Sequence, residues 1–317
     1  MTSVSKAWIA VIVAAAFFPA CGRSVGASDS GTGGGTADRG TLDAGAPQAW
    51  ISVPSGSTSY LYDAWGSGPS DVWAVGATGT ILHWNGAAWS AVTSGTASNL
   101  HGVWGSAPDD VWAAGSQGTI LHWNGATWSS VASATTEPLV DVWGSSPTDV
   151  WVVGGAFVHW NGTAWLSGPA GTTSYLSVWG TGPNDVWAAG YGKFQHWTGA
   201  AWVEVPSGGA TGQLYGVWGT GPTDIWAVGD PPGKAQHWNG TAWSSVDSGT
   251  PSYLLSLRGT AADNVWAVGD DGALQHWNGI AWSPLTSGTQ NSLGAIWIAG
   301  STDVWMLGAN GKILHGP

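Results

Sequence analysis

The residues best suited to do chemistry in this sequence are seven histidines spaced about forty residues apart: His83, His122, His159, His196, His237, His276 and His315. Imidazole is the commonest metal ligand and the usual proton carrier near neutral pH. A second row supplies carboxylates at Asp71, Asp110, Asp149, Asp185, Asp224 and Asp303, with Asn264 holding the sixth place just after Asp263. Metal ligands must converge within a few ångströms, whereas one histidine per repeat spreads them around a ring. The spacing therefore predicts a hydrogen bond inside each repeat, from imidazole to backbone or Asp. The aspartates, in P-x-D-V-W turns, are expected to bond N–H groups of their own turn. No dense Asp loop suited to calcium is present, so neither metal nor cofactor is expected. His101 stands outside the row and has no evident partner.

Other catalytic equipment is sparse. Cys21 is the single cysteine, Glu137 and Glu204 are the only glutamates, and Arg258 is the only arginine beyond residue 39. No H-E-x-x-H is present, and substrate carboxylates have no arginine cluster to meet. A non-catalytic protein is expected, with a hydrolase using an unrecognised site as the distant alternative. The formal charge of −12, with seven scattered Lys and Arg, is the wrong sign for nucleic acid.

What positions these residues is a repeat. From Leu61 onward the unit reads approximately L-x-x-V-W-G-S-x-P-x-D-V-W-A-V-G-x-x-G-x-I-L-H-W-N-G-x-x-W. Its first Trp falls at Trp65, Trp104, Trp143, Trp179 and Trp218, then Arg258 takes its place, then Trp297. The spacings are 39, 39, 36, 39, 40 and 39 residues. In the second unit, strand A is expected at Leu100–Gly105, B at Val111–Gly115, C at Thr119–Trp123 and D at Trp128–Val131. Asn-Gly between C and D suits a tight hairpin. A period near forty with four short strands marks propeller blades. The last unit stops at His315-Gly316-Pro317 without a strand D, and Ala49–Gly56 aligns with the D segment of the other units. The predicted fold is all-β, a seven-bladed β-propeller of four-stranded antiparallel blades, its last blade closed by the N-terminal strand. The four tryptophan rows are read as packing between blades ahead of sugar-stacking platforms, since each inter-blade space has the same shape to fill.

Before the repeats, Ala7–Phe18 is an apolar run after Lys6, too short to span a bilayer, and it ends at Pro19-Ala20-Cys21. Phe18-Pro19-Ala20-Cys21-Gly22 resembles the lipobox of bacterial lipoproteins, with Phe and Pro departing from its usual Leu and small residue. The resemblance implies a signal peptide over 1–20, a lipid attached at Cys21 and residence in the cell envelope, at the outer membrane because Gly follows the cysteine; secretion is the alternative. Gly22–Gln48 lacks periodicity and reads as a tether, leaving 49–317 as the propeller. Over 49–317 the Trp-rich repeats resemble those of bacterial surface lipoproteins, and more loosely tectonin-type, BNR-like and WD-type repeats. That implies the fold and leaves function open.

Function is sought where the repeat breaks. Arg258 replaces a Trp. The B–C loops of blades V and VI carry Asp230, Lys234, Asp270 and Asp271, and three D–A connections carry Ser-Tyr-Leu at Tyr60, Tyr175 and Tyr253. In propeller topology these loops share one face, and polar loops with Tyr on a rigid scaffold are binding equipment. The expected partner is a carbohydrate or another envelope component, alternatively a protein docked on a monomeric scaffold, with the membrane met only through the lipid.

Overall fold

The structure, a computed structural model, describes residues 50–168, 174–230, 234–300 and 303–316. The signal segment, Cys21 and the tether lie outside the described residues. The described chain forms seven four-stranded antiparallel sheets. Blades I to VI are continuous in sequence, starting at Leu61, Leu100, Leu139, Tyr175, Leu214 and Leu254. Blade VII takes Leu293–Gly300, Asp303–Gly308 and Ile313–Gly316 from the C-terminus, and its outermost strand is Ile51–Ser52. Ile51 pairs with His315 and Ser52 with Leu314, and the Val53 N–H adds a 3.0 Å bond to the Ile313 carbonyl. The N-terminal strand thus closes the ring as the repeat alignment predicts. Each inner strand A packs against the strand A of the next blade, and blade VII meets blade I.

Strand B is the buried layer: its Val-Trp-Ala-Val sequence places β-branched and aromatic residues where both faces are covered. Its tryptophans are buried, and four of them, Trp73, Trp187, Trp226 and Trp305, are at most 1% exposed. Each reaches the next blade. Trp73 lies edge-on to Trp128 at 5.3 Å and tilted against Trp123 at 4.9 Å, and the same pair of contacts joins Trp112 to Trp165 and Trp160. These rows are core, and sugar stacking on the strand-B row is excluded by burial.

The inner-strand row locks the ring differently. A Cβ at Gly105 would stand 2.6 Å from the Trp65 ring, and the same clash recurs at Gly144 with Trp104 and Gly259 with Trp218. Trp in one blade therefore needs Gly in the next. The single exception is paired: where Arg258 replaces Trp, the receiving position in blade VII is Ile298.

On the face carrying the A–B and C–D turns, one hydrogen-bonded group recurs from blade to blade. In blade I the His83 ring stacks on Trp73 at 4.2 Å, its Nε2 lies 2.6 Å from Asp71 Oδ1, and Ser67 donates to the other oxygen. Blade VI substitutes Asn264, which accepts from His276 at 2.8 Å and donates to Thr260. The predicted His–Asp bond is present. In blades I to V the aspartate's second partner is a Ser or Thr hydroxyl four residues earlier, where a turn N–H was expected; blade VII has Ala299 in that place.

Candidate binding face at the mouth of the ring

Every strand A begins with the same irregularity. Leu61 pairs with Gly76 and Asp63 with Val75, so Tyr62 has no partner across the ladder. A bulge of this kind re-aims one side chain without ending the strand. The bulged residues are Tyr62, His101, Val140, Leu176, Tyr215, Leu255 and Gly294. They sit where the D–A loops feed the inner strands, around the mouth of the ring. Unlike the His and Asp rows, no two adjacent blades carry the same residue here.

Tyr60 and Tyr62 stack at 4.8 Å, and Tyr62 lies 5.0 Å from the ring of His101 in blade II. His101 Nε2 bonds the Ser116 hydroxyl at 3.0 Å, which supplies the partner missing from the sequence reading. In the other direction, the Tyr60 hydroxyl meets Ser292 Oγ at 2.8 Å, and Ser292 donates to Asp270 at 2.6 Å. One chain of hydrogen bonds and ring contacts therefore runs from blade VI through VII and I to II. Burial drives the titration of these groups. It lifts the Tyr60 hydroxyl to about 12, against the Ser292 bond and with help from Asp270 and Tyr62. It lowers His101 to about 4, so the imidazole is neutral at pH 7.

Blades V and VI carry a second group. Tyr215 and Tyr253 lie 6.5 Å apart, and Tyr253 is 41% exposed. Burial raises the Tyr215 hydroxyl strongly, and the charge and hydrogen bonding of Asp230, then Tyr253 and the charge of Asp270, raise it further. Asp230 is itself fixed by the Gln213 N–H at 2.8 Å. Asp271 is exposed at the apex of a tight turn, held at φ 56°, a conformation that Asp tolerates better than most residues. Beside that turn lies a shallow groove lined by Gly272, Leu285, Thr286, Thr289 and Gln290.

Of the residues singled out from sequence, Tyr60, Tyr253, Asp230, Asp270 and Asp271 share this face. Tyr175 does not join them. It is 3% exposed and packs on Phe157 at 4.9 Å, as the first residue of its strand A in the place that Leu holds elsewhere. Lys234 opens strand C of blade V opposite Asp247, and its side chain lies outside the described set.

Arg258 is not on the face either. It lies partly buried on an inner strand and donates to the Leu257 carbonyl at 2.9 Å. Its charge acts on two buried carboxylates that the sequence reading passed over, Asp63 and Asp141. Burial, then the neighbouring Asp141, pushes Asp63 up to about 7, and Arg258 pulls it back. Asp141 is raised by burial and likewise restrained by Arg258. Both staple neighbouring blades. Asp63 accepts the Val103 N–H at 2.9 Å, and Asp141 accepts the Val178 N–H at 2.8 Å and the Ser177 hydroxyl at 2.9 Å. Their signal was available: an acid two residues before the row Trp, where other blades have Gly, Ser or Ala.

No family model matches the chain, and no curated protein matches it in sequence. Solved structures share the fold. YCF48 bound to D1 peptide is 17% identical with a TM-score of 0.70, covering 87% of this chain and 96% of its own. YCF48 from Cyanidioschyzon merolae is 20% identical at 0.70, covering 84% and 98%. The WD40 beta propeller domain of Doa1 is 12% identical at 0.73, covering 85% and 97%.

Proposed function

We propose that the protein is a non-catalytic platform that binds a segment of another protein across the face carrying the D–A and B–C loops. The observation that carries this reading is the bulged position of the inner strands. Seven identical backbone irregularities present six side chains and one glycine around the ring mouth, and ring contacts and hydrogen bonds through Asp270 and Ser292 join the aromatic ones in an arc from Tyr253 to His101. Tyrosine gives large, rigid contact area at low entropic cost, and hot spots are enriched in it. The similarity to YCF48, solved with D1 peptide, agrees with a peptide ligand. Carbohydrate recognition loses its strand-B tryptophans to the core, although the mouth tyrosines could still serve it. Cys21, as a lipid attachment point, would hold this platform at the cell envelope, and Cys21→Ser should then release the protein from membrane fractions.

The test is to probe an array of 15-residue peptides of varied sequence, and a glycan array, with the purified full chain. Peptide signals that fall at least tenfold in Tyr253→Ala support the reading. Binding to glycans alone transfers the face to carbohydrate, and silence on both arrays overturns the platform.

A further inference from the structure

The C–D turns, on the face opposite the mouth, share one geometry and differ in one side chain. In blades I, II, III, V and VI the turn begins with Asn-Gly, and the Asn side chain folds back over it. Asn85 Oδ1 accepts the N–H groups of Ala87 and Ala88, each at 3.0 Å, and Asn124 and Asn278 make the same pair of bonds. Asn161 and Asn239 make it too. Each of these two also accepts a third bond, from the hydroxyl of Thr163 at 2.7 Å and of Thr241 at 2.8 Å. Blades I, II and VI have Ala87, Ala126 and Ile280 in that place and form the same turn, so the turn does not require the hydroxyl. All five asparagines are exposed. Asn161 and Asn239 are the only asparagines of the chain with Ser or Thr two residues on.

Asn-x-Thr with a middle residue other than proline, on a surface turn, is the acceptor for N-linked sugar in exported proteins. Resting on the envelope reading, we propose that Asn161 and Asn239 are glycosylation sites, each taking a sugar from a donor activated by phosphate at its anomeric carbon. In the transfer the bond from Asn Nδ2 to the anomeric carbon forms, and the bond from that carbon to the phosphate oxygen breaks. The phosphate leaves with the electron pair, and the displaced Nδ2 proton passes to a base of the transferase. The turn favours this step. As the nitrogen gives up its proton, negative charge moves onto Oδ1, where three donors already stand to hold it; the turns of blades I, II and VI supply two. Both sugars stand on the A–B/C–D face, at blades III and V, and leave the mouth clear.

The test takes the full chain from the cells that make it, locates it by fractionation and maps its peptides by mass spectrometry. Sugar is expected on Asn161 and Asn239 and on none of Asn85, Asn124 and Asn278. Thr163→Ala should abolish the sugar at Asn161 with an unchanged melting curve, because Ala126 makes the same turn. Ala87→Thr should add a sugar at Asn85, which already holds the two N–H bonds. Unmodified Asn161 and Asn239 on a chain found in the envelope overturn the inference alone, as does sugar at Asn161 that survives Thr163→Ala. Unmodified asparagines on a chain found only in the cytoplasm overturn the envelope reading with it.

Discussion

The two faces of the ring are built from the same strands and differ in how much each blade resembles the next. On the A–B/C–D face, Trp, His, Asp and a hydroxyl recur in the same bonds through blades I to V, blade VI keeps them with Asn264, and blade VII keeps the Asp303–His315 bond with Ala299 in the hydroxyl's place. On the other face the equivalent backbone position carries Tyr, His, Val, Leu, Tyr, Leu and Gly in turn. A closed ring imposes one geometry on every blade, so a side chain that the geometry requires must repeat. Divergence at a position of constant backbone shape marks freedom from that requirement, and the mouth is the place where this chain is free.

The interior supplies the hardest test of that division, because blade VI breaks a required row at Arg258. If the Trp–Gly lock is what closure demands, Arg258→Trp should be severely destabilising, since the new ring would enter the space of Ile298. It would also leave Asp63 and Asp141 buried without their cation, a loss of about 3 kcal/mol or more. Adding Ile298→Gly should recover the steric share, about 1–3 kcal/mol, and leave the electrostatic share. Urea denaturation of the two variants measures both. A double variant no more stable than the single would show that Ile298 does not compensate for the missing Trp.

On the repeated face, Asp110→Ala orphans His122 and the Ser106 hydroxyl in one step. The expected cost is about 2 kcal/mol, with array binding unchanged. A stable protein that no longer bound peptide would assign function to the wrong face.

The pH profile separates the same regions. A carboxyl whose folded value is raised binds its proton more tightly in the folded state, so Asp63 makes stability fall as pH climbs from about 4 toward 7. The repeated face acts oppositely. Burial pushes the Asp149 carboxyl up, but the bonds from His159 and Ser145 outweigh it, and Asp185 behaves alike with His196 and Thr181. Their contribution is present above about pH 4 and lost below it. Maximum stability is therefore expected on the acidic side of neutrality, and Asp63→Asn should flatten the decline toward pH 7. A maximum at pH 8 in the unmodified chain would contradict the buried acid.

The ring, the blade count and the closing strand were legible because each rests on a period, and a period survives without knowledge of contacts. The inner strand expected at Leu100–Gly105 extends to Ala107, and the outer strand matches at Trp128–Val131. The His–Asp bonds were legible for the same reason. The mouth was half legible. Loop composition pointed to Tyr60, Tyr253, Asp230, Asp270 and Asp271, but the bulge that presents Tyr62, His101 and Tyr215 leaves no mark on the repeat. Tyr175 was misplaced by reading Ser-Tyr-Leu as a loop motif. Counting back from the row gives its true place: Tyr175 stands four residues before Trp179, as Leu61 does before Trp65. Asp63, Asp141 and Arg258 belong to different blades, and only the closed ring brings their charges together.

The smallest expected change in stability carries the most weight for function. Tyr253 is 41% exposed and its ring leans on Tyr215 without filling a core. Tyr253→Ala should stay within about 0.5 kcal/mol of the parent in stability, as surface substitutions do. The same change should remove at least tenfold of the peptide affinity, because an exposed aromatic at the mouth has little to do in the isolated ring. Stability and binding that fell together would mean that Tyr253 supports the loop it sits on. Stability that held while binding fell would place the side chain at the ligand, and a divergent face would then be the part of a uniform scaffold that selection has turned to recognition.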